Sequence, residues 1–217
     1  MILHDFGAGP VPAHQHSNGG GWIADTATVA ETAYVGPDAQ IYGNAQIYGN
    51  TRISGNAQIY GNALICGNAQ IFGDALICGN AQIYGNALIS DNAEISGYAQ
   101  ISGYAEISGY AQISGNAQIY GNARIYGDAW ISDNAQIYDN ARISNPNDIL
   151  WGYLGGFNFT AYKLQNNSVF LQYGCEGHDL QAWEDLHEEL ALKHNMPGHE
   201  KWTRMAAQNA AMLQHSL

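Results

Sequence analysis

Positive charge is scarce in this chain. Seven Lys and Arg stand against 19 Asp and Glu, for a net charge of -12 in 217 residues. Broad nucleic-acid surfaces and anionic-membrane surfaces both need clustered Lys and Arg, so the balance argues against either and leaves room for one local basic pocket. Cysteine is scarce too. Cys66, Cys78 and Cys175 are too few for a disulfide framework. They read as reduced thiols in a cytoplasmic protein. No run of about 18 apolar residues occurs, so no membrane-spanning helix is expected. The opening MILHDFGAGPVPAHQHSNGGG lacks the basic and apolar regions of a secretory signal. Histidine is missing from the whole middle of the chain, between His16 and His178. That segment therefore lacks the commonest general base and a principal zinc ligand.

What the middle does contain is a repeat of six residues. From Ile23 to Ile143 every sixth residue is Ile or Val, 21 sites without a miss. The residue two before each is Ala at 19 of them, the exceptions being Gly21 and Thr51. A helix cannot use this spacing, because six residues turn it by about 600° and scatter the Ile over three stripes. A strand can, because six is a multiple of two. Ala45 and Ile47 then point inward and Gln46 and Tyr48 outward, and Gly49-Asn50 turns the chain. Three such strands and three corners make one triangular coil, and seven coils at ~4.8 Å stack into a prism about 33 Å long. From Val35 onward each corner has Gly at its first site or Asn/Asp at its second. Residues tolerant of positive φ are thus always available. Where Asp91, Asp133 and Asp139 replace the Gly, Asn92, Asn134 and Asn140 follow. The first two corners, Asp25-Thr26 and Glu31-Thr32, break the rule.

On these residues the segment 21–148 resembles the hexapeptide-repeat, left-handed parallel β-helix family, known from bacterial acyltransferases and γ-class carbonic anhydrases. The resemblance implies a mainly β fold, a left-handed parallel β-helix of about seven triangular coils, and assembly as a homotrimer with the prisms side by side. In the enzymes of that family a His serves at the groove between subunits, as general base or zinc ligand, and many carry a protruding loop. Neither has a counterpart on this prism. The slot after the Ile, mostly small or acidic in the enzymes, holds Tyr, Ser, Cys or Phe from Tyr42 on.

Beyond Ile143 the repeat stops, and residues 149–217 read as a small α+β cap, with residues 1–20 as a second capping segment. ILWGYL, FTAYKL and VFLQYG read as strands, the last two joined through Asn166-Asn167. Asp179 reads as the N-cap of a helix to about Lys193, with a second helix over 198–214. This tail resembles one found on bacterial and phage hexapeptide-repeat proteins of unknown function, through Thr160-Ala161-Tyr162 and Gly174-Cys175. An open prism end exposes Ile rungs and unpaired backbone, so the tail is expected to cover the last coil.

Functional residues are few. Arg52, Arg124 and Arg142 are separated by 72 and 18 residues, multiples of 18, and therefore stand in one outward column with Glu106. They read either as partners of Glu106 or, with Tyr126, as a basic strip for an anionic ligand or an acidic partner. Lys163 and Arg204 of the tail are candidates for the same ligand. His4, His14 and His16, the pair His187 and His194, and Cys175 with His178 fit structural roles better than catalytic or metal-binding ones. No cofactor, metal or catalytic residue is assigned. A column of Gln46, Gln82, Gln100, Gln118 and Gln136, with outward Tyr residues beside it, reads as a ladder or an oligomer seam. Three readings remain open: a non-catalytic oligomeric scaffold, a protein sequestering a small anionic, nucleotide-like ligand between subunits, and a divergent acyltransferase.

Overall fold

The computed structural model describes residues 2–154, 157–164, 166, 168–173, 176–183, 185, 207, 208, 210, 211 and 213. The six-residue period becomes a parallel β-solenoid of seven triangular coils. Its three faces are seven-rung parallel stacks, running from Trp22–Ala24 to Trp130–Ile131, from Thr28–Val29 to Gln136–Ile137, and from Tyr34–Val35 to Arg142–Ile143. Register is one coil, 18 residues, at every step: Gln46 lies on Leu64 and Ile47 on Ile65. The rung Ile residues and nearly all the inward Ala residues are fully buried and form one continuous core. Backbone bonds tie each coil to the next, as in Gln46 N–H to the Ala63 carbonyl at 2.8 Å and Tyr48 N–H to that of Ile65 at 2.9 Å.

Corners explain the glycines. Gly49 has φ 77°, and a Cβ there would lie 2.5 Å from the Gly67 carbonyl oxygen of the next coil. The left-handed backbone turns that carbonyl toward the Asn50 N–H, which it receives at 2.8 Å. At three corners the expectation needs correcting. The positive φ is taken by Asp91, Asp133 and Asp139 themselves, at 57–58°, and not by the Asn that follows each. The first two corners are built differently. Thr26 and Thr32 hydroxyls donate to the carbonyls of Gly43 and Gly49, replacing the backbone N–H used elsewhere. Thr51 occupies an Ala slot, fully buried, and among the described residues its hydroxyl has no partner.

The repeat runs one step further than its spacing indicated. Ile149, six residues past Ile143, is buried in the same core. Between them Pro146–Asp148 form a 3-10 turn closed by a capping box: Asn145 Oδ1 accepts from the Asn147 N–H at 2.9 Å, and Asp148 Oδ2 from the Asn145 N–H at 3.2 Å. The tail then forms a four-stranded antiparallel sheet of Ile149–Leu154, Phe157–Lys163, Val169–Tyr173 and Glu176–Asp179. The fourth strand was not expected, although Asp179 does cap a helical turn, its Oδ1 accepting from Ala182 N–H at 2.8 Å. Leu180 and Trp183 of that turn join Ala210 and Leu213 in a second core against the sheet's far side.

The prism-facing side of the tail sheet meets the last coil. On the second face Gln136 and Tyr138 have no further rung to bond. Thr160 Oγ1 accepts from Gln136 N–H and Tyr162 Oη from Tyr138 N–H, both at 3.0 Å. The Thr-Ala-Tyr stretch thus supplies two hydroxyls in place of a missing coil, while Ala161 turns into the second core. At the other end Ile2–Asp5 and Pro10–Gln15 form a hairpin that pairs antiparallel with Trp22–Ala24. His4 stacks on Trp22 at 4.2 Å and Phe6 on Tyr42 at 5.0 Å.

Candidate functional site

The column of cations exists, but it is not a continuous strip. The third face reads Tyr34, Arg52, Gln70, Leu88, Glu106, Arg124, Arg142 from first coil to last. Arg52 is separated from the other two by uncharged Gln70 and Leu88, and its guanidinium sits 5.6 Å from the Tyr34 ring centroid. Arg124 is matched by Glu106, Nε to Oε2 at 3.2 Å. A pair this exposed contributes about 0.2–1 kcal/mol at most. The expected strip therefore reduces to its last member.

Arg142 lies where the prism meets the tail. Its Nε donates to the Tyr126 hydroxyl one coil before, and its guanidinium lies 5.6 Å from that ring's centroid. The Tyr126 bond pushes its pKa up from an already high value, so it stays charged. Beside it a cavity of about 220 Å³ is lined by Tyr126, Arg142, Ser144, Asp148, Lys163 and Leu164. Lys163 Nζ contacts Asp148 Oδ1 at 3.2 Å, with both side chains largely buried. Asp148 Oδ2 accepts from the Ser144 N–H and hydroxyl, each at 2.8 Å. Burial alone would raise the Asp148 pKa, but the two Ser144 bonds and the Lys163 ammonium outweigh it and hold the carboxyl below its ordinary value. Among the described lining residues two cations face one carboxylate, which leaves one net positive charge. Because Tyr126 uses only Nε, the remaining guanidinium N–H groups can serve a small anion.

Three of the expected ligand residues, Tyr126, Arg142 and Lys163, are thus brought together, while Arg52 and Arg124 are not. Arg204 lies outside the described residues, as do Cys175, His187 and His194. Ser144 and Asp148 were missed. The signal was present in the Asn145 to Asp148 spacing of a capping box, read only as the end of the repeat. The N-terminal His residues do not converge: His14 Nδ1 pairs with Asp25 Oδ1 at 2.9 Å, and His16 Nδ1 lies 3.2 Å from the Asn18 carbonyl. His178 packs edge-on against Trp183. Among the described residues no group of three metal-ligating side chains occurs, and no helix is long and apolar enough to cross a membrane.

The second face differs from the third. From Thr28 to Tyr138 its outward slots carry no charged residue. Tyr hydroxyls bond Gln amides on the same surface, Tyr84 to Gln82 at 2.6 Å, Tyr120 to Gln100 at 3.1 Å and Tyr138 to Gln136 at 3.2 Å. Cys66 lies on this face and Cys78 on the first, both as free thiols.

Five segments, 39–55, 57–69, 81–97, 117–133 and 135–145, match the model of the YdcK β-solenoid repeat. No curated protein and no solved structure matches the chain.

Proposed function

The chain is a hexapeptide-repeat-like β-helix, and we propose that it works as a non-catalytic binding scaffold that assembles as a side-by-side homotrimer. The observation that carries this reading is the uncharged second face. Interface cores are depleted of charge and enriched in Tyr. Here the Tyr hydroxyls already have Gln partners on their own chain, and the Gln amide N–H groups are left to bond across an interface. The unbroken repeat and the lack of His on the prism support binding over acyl transfer. Sedimentation equilibrium tests the reading. The wild type should weigh three times 23.4 kDa, and the double variant Tyr84→Glu, Tyr120→Glu should fall to one times that mass with an unchanged circular dichroism spectrum. A wild-type monomer, or a trimer indifferent to both changes, would refute it.

A second reading is favoured by the Arg142 cavity, in which the scaffold holds a small anion such as a phosphate group. Its net positive charge and the open guanidinium N–H groups support this. Titration calorimetry with inorganic pyrophosphate and with ATP should show saturable binding that Arg142→Ala weakens at least about ten-fold, the loss expected for charge-assisted hydrogen bonds. Binding of ATP alone would favour a nucleotide, and binding of neither would remove the reading.

A further inference from the structure

A second cavity, of about 280 Å³, opens at the last corner between the first and second faces. Asp133 and Asn134 form its floor, and Trp151, Tyr153, Asn158 and Phe159 of the tail sheet form its walls. Tyr153 pairs in register with Asn158 and Trp151 with Thr160. Directly opposed residues share a face, so Trp151, Tyr153 and Asn158 lie on the side that carries Thr160 and Tyr162 over the prism, while Phe159, opposite Gly152, belongs to the second core. Tyr153 is 71% exposed.

Two details show that the site is built rather than left over. Trp151 stands one coil length, 18 residues, beyond Asp133, and its Nε1 donates to Asp133 Oδ2 at 3.0 Å. A positive-φ corner that most repeats give to Gly is here an Asp at φ 57° that holds an indole in place. The Asn ladder also ends at this point. Asn116 Nδ2 donates to Asn134 Oδ1 at 3.2 Å, but one coil further the chain has Gly152, with no side chain to receive the Asn134 amide. A Cβ at Gly152 would lie 2.8 Å from Phe159 Cε1, so glycine there leaves room for the Phe159 ring. Among the described residues Asp133 Oδ1 and the Asn134 and Asn158 amide N–H groups therefore have no acceptor or donor of their own chain.

We propose that this cavity binds a neutral saccharide ring. One side of a pyranose ring presents C–H groups of slight positive character, which suit the electron-rich face of an aromatic ring such as Tyr153. Its hydroxyls both donate and accept, and they match one carboxylate and two carboxamides set at the rim of an aromatic wall. No cation lines the cavity, and the Asp133 carboxylate repels an anionic ligand, so phosphates and nucleotides are excluded here. The site stands apart from the Arg142 cavity, whose lining shares no residue with it.

Saturation-transfer NMR on the full chain, with neutral oligosaccharides of glucose, galactose, mannose and N-acetylglucosamine and with adenosine, tests this. At least one oligosaccharide should bind saturably at millimolar concentration. Tyr153→Ala and Asn158→Ala should each weaken it at least ten-fold. Tyr104→Ala, which removes an equally exposed Tyr from a distant corner, should leave it unchanged. Absence of saturable saccharide binding overturns the proposal, as does binding that Tyr153→Ala leaves intact. Adenosine binding through Tyr153 with no saccharide response would also overturn it, in favour of a nucleobase platform.

Discussion

The Tyr162 hydroxyl serves both backbone groups of Tyr138: it accepts from the amide N–H at 3.0 Å and donates to the carbonyl oxygen at 3.3 Å. A phenol from the tail thus does for the last coil what a further coil does for every other. Burial pushes its pKa well up, so the hydroxyl stays protonated and can donate. Tyr162→Phe should cost about 1–3 kcal/mol, the penalty of leaving buried backbone groups unsatisfied. Thr160→Val should act in the same direction through Gln136. Chemical denaturation of both single variants and the double variant checks this. Non-additivity in the double would show that the two hydroxyls act as one cap.

Thr51 tests the core. Its buried hydroxyl sits without a partner in a column of Ala. Thr51→Val keeps the shape and removes the polar atom, and should stabilise by about 1 kcal/mol. A melting temperature that falls would show that the hydroxyl has a partner after all.

The periodic part of the molecule was legible because its constraint is local. Six residues with one Ile and one Ala specify a rung, and counting by 18 placed Arg124 on Glu106 and on Arg142 in true register. What was not legible depended on closure in three dimensions. The strand Glu176–Asp179 has no alternating pattern and forms only because Val169–Tyr173 offers it an edge. The junction of Arg142, Asp148 and Lys163 joins residues with no common period, which only the returning tail strand brings together. The corner rule failed at Asp91, Asp133 and Asp139 for a different reason. Asn and Asp both tolerate positive φ, so composition alone could not say which of two adjacent residues adopts it.

Corners offer a strain measurement. Asp139 holds φ 57°. Asp139→Gly should stabilise by about 0.5–1 kcal/mol by relieving the left-handed conformation. Gly49→Val should destabilise by about 2 kcal/mol or more, because a β-branched side chain at φ 77° also meets the Gly67 carbonyl. Paired urea unfolding curves read both signs in one experiment.

Asp148 sets a pH dependence at the junction. Its folded pKa lies below its ordinary value of 3.8, so its contribution is complete above that value and is lost as pH falls through the folded one. Asp148→Asn should therefore be less stable than wild type by about 1–3 kcal/mol at pH 6. The gap should narrow as pH falls below about 3.8 and close once pH is below the folded pKa. A gap that persists at pH 2 would mean that Asp148 contributes by shape and not by charge.

The central claim is that copies associate side by side while the tail blocks the prism's end. Light scattering on the full chain and on a chain ending at residue 148 tests it most directly. The full chain should give a single species of three times 23.4 kDa, and the shortened chain, with Gln136, Tyr138 and the last Ile rungs uncovered, should grow into larger open-ended assemblies. A full chain that is monomeric, or a shortened chain that keeps the discrete mass of the whole, would contradict it.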